Sequence, residues 1–88
     1  MSISVENDPQ AYALEFTENE MVVHLKDGRT LLLPLVWYPT LDHATPKERL
    51  NFEIIGDGEG FHWSDLDEDL SVRGFLAGIR LDQKPNAA

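Results

Sequence analysis

The stretch "FHWSDLDEDLSVRGFLAG", residues 61–78, decides how this chain is read. Four carboxylates, Asp65, Asp67, Glu68 and Asp69, crowd together in it. They invite three readings: a metal loop, a catalytic acid cluster, or the charged approach to a helix. Asp65, Asp67 and Asp69 have the alternate spacing of the first three calcium ligands of an EF-hand loop. Such a loop also needs glycine at its sixth position and a bidentate glutamate at its twelfth. Leu70 and Leu76 stand there instead, so that reading fails. Asp65, Asp67 and Asp69 survive only as weak candidates for a divalent cation.

The helix reading accounts for more residues. Ser71 is a good N-cap for "VRGFLA", Leu70 before it can staple to Phe75, and Gly78 supplies a left-handed stop. Asp67, Glu68 and Asp69 then sit upstream of the helix, where its dipole favours negative charge. Asp65 or Asp67 is expected to accept backbone amides in a preceding turn. Gly74 costs about 1 kcal/mol relative to alanine inside a helix, which implies a neighbouring backbone or ring packed against it.

Outward from this stretch the elements are short. "FEIIG" reads as a strand with Phe52 and Ile54 on one face, "DGEG" as a turn, and "FHW" as the returning strand. In "ATPKERLN", Thr45 caps, Pro46 takes the first helical position and Glu48 closes a capping box. "VWYPTLDHA" suggests a helical turn beginning near Tyr38 and Pro39. Further upstream, "YALEF", "EMVVHLKD" and "RTLLLPL" are strand-like. Asp27-Gly28 predicts a two-residue hairpin turn with Leu25 opposite Thr30, His24 opposite Leu31 and Val23 opposite Leu32. Apolar residues on both faces of this hairpin imply that part of it is covered twice. Pro34 cannot donate to a ladder and puts the end of its strand at an edge. The expectation is a small α+β domain over residues 11–81, with four to five antiparallel strands in hairpins and two or three short helices. Residues 1–10 and 82–88 read as flexible ends.

The chain has 88 residues, no cysteine and a net charge of −9. A domain of this size buries roughly 60% of its unfolded surface, which leaves no room for a deep enclosed cavity. Without cysteine there are no disulfides and no thiolate chemistry. The start of the chain lacks the pattern of a signal peptide, and the longest apolar run is too short to span a bilayer. A cytoplasmic protein is expected. Seven basic residues, scattered along the chain, do not predict a nucleic-acid or membrane surface; a basic protein partner or a cation suits the charge better.

Catalytic patterns are thin. His62, Ser64 and Asp65 lie close in sequence, yet no nucleophile elbow frames the serine. His24, His43 and His62 are widely spaced. In "GDGEG", Asp57 and Glu59 would repel phosphate, so a hairpin turn is expected there. Trp37, Tyr38, Phe61 and Trp63 lack basic neighbours for stacking bases, and most should be core. One or two exposed aromatics beside an acidic rim would make a protein-binding hot spot. Trp37, Tyr38, Trp63, Asp67 and Glu68 are the candidates.

"KDGRTLLLPL", then "WYPTLDHATPKERLNFE", then "GFHWSDLDEDLSVRGFLAG" resemble the small bacterial domain-of-unknown-function family number 2442. The resemblance runs from Tyr12 to Gly78. Its most specific part is Trp63, Leu66, Asp67, Asp69 and the ending Leu76-Ala77-Gly78. It implies no catalytic residue and no cofactor. It implies genes set in two-gene modules, similar to toxin–antitoxin pairs, in which an acidic protein masks a more basic, toxin-like partner. Some longer relatives append a helix-turn-helix domain; this chain ends at Ala88, and DNA binding by itself is not expected. The alternative expectation is a cation-binding protein or metal-dependent enzyme using Asp65, Asp67, Glu68, Asp69 and His62. Pairing of an uncovered edge strand across a two-fold axis would give a homodimer.

Overall fold

Residues 9–82 are described by a computed structural model. The expected flexible ends therefore lie mostly outside the described residues. Strands β1 (Ala11–Phe16), β2 (Glu20–Leu25) and β3 (Thr30–Pro34) form one antiparallel sheet in that order. The Thr17 hydroxyl closes the first turn by accepting the Glu20 amide at 2.9 Å. β3 is an edge strand, as Pro34 requires.

The second turn corrects the expected register. Lys26, Asp27 and Gly28 make a three-residue loop, with Gly28 N–H donating to Leu25 O at 3.1 Å and Leu25 N–H to Arg29 O at 2.8 Å. Gly28 has φ +101°, so one residue is absorbed as a bulge and strand twist is preserved. His24 therefore faces Thr30, Val23 faces Leu31 and Val22 faces Leu32. The Asp27 carboxylate accepts the Arg29 amide at 3.0 Å and its Nε at 2.9 Å, which holds the loop. The outer face of the hairpin is not covered as expected: Leu32, paired with Val22 there, is 60% exposed. Met21, Val23 and Leu25 are buried on the core side, and Val22, facing away, is buried by its neighbours on the same sheet.

A 3₁₀ turn (Leu35–Trp37) leads into helices α1 (Pro39–Asp42) and α2 (Pro46–Leu50). α2 has the expected capping box: Thr45 Oγ1 accepts from Glu48 N–H at 3.1 Å, and Glu48 Oε1 from Thr45 N–H at 2.8 Å. Arg49 then ties the helices together. Its Nε donates to Leu41 O at 2.7 Å and its Nη2 to Asp42 O at 2.8 Å, satisfying carbonyls at the end of α1. The Arg49 carbonyl accepts Trp63 Nε1 at 2.9 Å.

The second sheet is β4 (Glu53–Ile55), β5 (Gly60–Trp63) and β6 (Glu68–Ser71), antiparallel in that order, followed by α3 (Val72–Ala77). Six strands among the described residues exceed the four to five expected, because Glu68 and Asp69 belong to a strand and not to a helix approach. With Leu70 as its single large apolar residue, β6 has little strand signal of its own; it forms by pairing with β5. Ser71 caps α3 by accepting Gly74 N–H at 2.9 Å, and Gly78 ends it at φ +75°. A Cβ on Gly74 would meet the Ser71 hydroxyl at 3.0 Å. The small residue makes room for the cap, not for the ring or neighbouring backbone expected.

Both sheets, α1 and α3 share one core that includes Trp63, Phe61 and Tyr38. Phe61 stacks on Phe75 at 6.5 Å, Phe75 meets the Tyr38 edge at 5.9 Å, and Phe52 meets Phe61 edge-on at 5.5 Å. Burying each such ring stabilises the fold by about 1.5–3 kcal/mol. The sheets join where Ala11 N–H donates to Gly58 O at 2.8 Å. At Gly58, φ is +112° and a Cβ would lie 2.3 Å from Ala11 O. Gly58→Ala should destabilise the protein by at least about 2 kcal/mol in urea melts. Gly28→Ala, where a Cβ meets nothing within 4 Å, should cost only about 1–2 kcal/mol of backbone strain. Equal losses at the two sites would refute the joint.

Candidate functional site

The register of the second sheet sorts the acidic cluster onto two faces. Phe61 and Trp63 point into the core, so Ile54, Leu70 and Glu68, which lie opposite them, share that side. The other face carries a row of Glu53, His62 and Asp69 across three strands, and beside it a row of Ile55, Gly60 and Ser71. Gly60 is required in that row, because a Cβ there would lie 2.5 Å from Leu70 O.

Each acid has its own surroundings. Asp65 accepts Asn51 Nδ2 at 2.7 Å. Asp67 takes a left-handed conformation, φ +53°, in the Ser64–Asp67 turn, which aspartate tolerates better than most residues. That turn is closed by backbone bonds, Leu66 N–H to Trp63 O and Asp67 N–H to Ser64 O, both 3.3 Å. Glu68 is half-buried; burial first, then the charges of Asp69 and Asp67, raise its pKa against the lowering effect of Thr40. Asp69 hydrogen-bonds His62 Nδ1. This bond raises the His62 pKa above its ordinary value; desolvation opposes it, and the charges of Asp69, Glu53 and Asp67 add to the rise.

Asp65, Asp67 and Asp69 are thus spread over a turn and the outer side of a strand. Among the described residues no group of three or more histidines and carboxylates is arranged to hold a metal ion. Ser64 sits in the turn beyond β5, and His62 turns instead to Asp69. No catalytic pair forms between Ser64 and His62.

The aromatic candidates divide as well. Tyr38 and Trp63 are 2% and 0% exposed. They are corrected from partner-binding candidates to core residues, since a partner could not reach them. Trp37 is half-buried beneath the Arg80 guanidinium, 4.7 Å from the ring centroid, and Leu81 N–H donates to Trp37 O at 2.8 Å. Asp67 remains exposed. Sequence reasoning missed Tyr12, Leu32, Leu50 and Ile79, each more than half exposed. Tyr12 projects because it is the extra residue of a bulge in β1, between Ala11 and Ala13. The row through His62 was also missed. Alternation in "FEIIG" sets Glu53 opposite to Phe52 and Ile54, but only the pairing of three strands brings it to His62.

The family described as "protein of unknown function (DUF2442)" matches residues 11–80. A protein of unknown function from Rhodospirillum rubrum has a crystal structure with a TM-score of 0.73 and 34% identity, covering 84% of this chain and 92% of its own. An uncharacterized protein from Chromobacterium violaceum, solved by solution NMR, has a TM-score of 0.68 and 27% identity, covering 81% of this chain and 67% of its own. No curated protein matches the chain. The chain belongs to the DUF2442 family, a bacterial family of small α+β domains. Among the described residues, no helix is long and apolar enough to cross a membrane.

The His62–Asp69 pair sets a pH dependence. A histidine whose folded pKa is raised contributes its full stability below its unfolded pKa and loses it as pH rises through the folded value. Urea melts should therefore show a stability loss beginning above about pH 6.5. Asp69→Asn should flatten that part of the profile. An unchanged profile in Asp69→Asn would show that the pair contributes nothing.

Proposed function

We propose that this chain is an acidic protein-interaction domain, the antitoxin-like or regulatory member of a two-gene bacterial module, with a basic, toxin-like protein as its partner. The observation that carries this reading is the display of bare apolar side chains on an acidic protein. Leu50, Tyr12, Leu32 and Ile79 are all more than half exposed, on a chain of net charge −9. Apolar contacts beside charged ones give a protein interface its affinity and its choice of partner. The charge would steer a basic protein to the domain and repel nucleic acid. We assign the domain no catalytic role: Asp65 and Asp69 are engaged by Asn51 and His62. A cytoplasmic setting fits a cysteine-free chain.

Co-expression of the tagged full chain with the product of the adjacent gene tests the proposal. A stable complex on size exclusion is expected, with a dissociation constant that rises with salt, together with relief of any growth defect the partner causes alone. Absence of a complex, or a complex that leaves such a defect intact, would remove the antitoxin-like reading.

A further inference from the structure

Two grooves flank β6 and meet on it. One, of about 250 Å³, lies between β4 and β6, with Ile55, Gly60 and Leu70 against Glu59. The other, of about 150 Å³, lies between β6 and the segment after α3, with Phe75, Ile79 and Leu81 as its apolar wall. Asp69, Leu70 and Ser71 line both, so the two adjoin across the strand as a trough in two parts. Its walls are mainly apolar, with the carboxylate of Asp69 at the middle; Glu59, whose Oε1 accepts Asp57 N–H at 3.1 Å, lies at one end.

We propose that this trough docks an extended, basic segment of a partner protein, with an arginine or lysine side chain beside Asp69 and an apolar side chain in the Phe75–Ile79–Leu81 groove. Charge complementarity selects the occupant. A long cationic side chain lays its methylene stem on apolar surface while its head seeks a carboxylate. Ile55 and Gly60 offer the first, and Asp69 the second. A second copy of this chain would bring its own −9 charge to the same carboxylates, so the occupant is a different, basic protein. The proposal rests on the interaction reading above and adds the surface and the chemistry of the bound segment.

Asp69 makes the docking proton-dependent, because its carboxylate already accepts from His62 Nδ1. The charged groups facing His62 are Asp69 on β6, Asp67 in the turn before it and Glu53 on β4. A protonated His62 competes with the incoming cation for Asp69. Neutral His62 leaves that carboxylate's charge to the ligand, so docking tightens as pH rises.

Titration of the ¹⁵N-labelled full chain with a hexapeptide alternating leucine and arginine tests this. Shifts are expected at Ile55, Gly60, Leu70, Ser71, Ile79 and Leu81, with none from a leucine–glutamate hexapeptide. Affinity should fall about three- to fivefold in Asp69→Asn. It should rise between about pH 5.5 and 8 in the native chain but not in His62→Gln. Shifts centred elsewhere, equal response to both peptides, or no response at millimolar peptide would overturn the trough. The two proposals separate cleanly. A partner that co-purifies equally with the native chain and with a folded Asp69→Asn, Leu81→Glu variant supports the interaction reading and overturns this surface. Arginine-peptide binding at the trough with no co-purifying partner supports the surface and overturns the two-gene reading.

Discussion

One backbone contact holds the two sheets in their relation. Ala11 N–H donates to Gly58 O at 2.8 Å, and only a hydrogen atom on Gly58 leaves room for the Ala11 backbone. The Lys26 side chain reinforces it from the first hairpin by donating to Asp57 O at 2.9 Å, while Lys26 N–H donates to Gln10 O. The loop of one hairpin is thus clasped to the turn of the other. Sheets of three strands have little apolar area to bury separately, and a short chain must pool what it has. The Gly58 contact lets Leu25 and Ala11 share one core with Phe61 and Trp63.

Within that core, Trp63 does more than fill space. Its indole satisfies the Arg49 carbonyl at the end of α2, and the Arg49 guanidinium satisfies two carbonyls at the end of α1. Helices of four and five residues are too short to be stable alone. They persist because each end is met by a group fixed elsewhere. This also explains why the most conspicuous aromatic of the family signature is hidden: Trp63 anchors two helices to a sheet. Leu66 in the following turn packs against the same core, and Asp67 supplies the left-handed residue that lets the chain return as β6.

What was legible in the chain was whatever is decided within a few residues. The capping box at Thr45 and Glu48, the Ser71 cap and the Gly78 stop all formed as their local chemistry requires. The hairpin at Asp27-Gly28 was legible as a turn but not in its register. A glycine of positive φ serves two- and three-residue loops alike, and the choice fell to a bulge at Gly28. β6 was illegible for a different reason. Its acids carry a local helix-start signal, and the pairing that overrides it comes from β5. The burial of Tyr38 and Trp63 and the exposure of Tyr12 and Leu32 depend on which element lands on which face. Residue type alone does not determine that.

The same pairing gives the acidic cluster its meaning. Read along the chain, Asp67, Glu68 and Asp69 are three adjacent like charges whose mutual repulsion opposes folding. On the strand they part. Glu68 turns to the core side opposite Trp63, Asp69 turns outward to His62, and Asp67 stays in the turn. Alternation along a strand, with its period of two, separates charges that a helix approach would have left side by side. Some repulsion remains, since Asp69 and Asp67 still raise the Glu68 pKa, and on the outer face a proton on His62 is favoured by Asp69 and Glu53 on either side of it. Loss of that proton returns negative charge to a face lined by Ile55, Gly60 and Ser71. The fold therefore gives up a little stability at the pH at which this surface becomes most attractive to a cation.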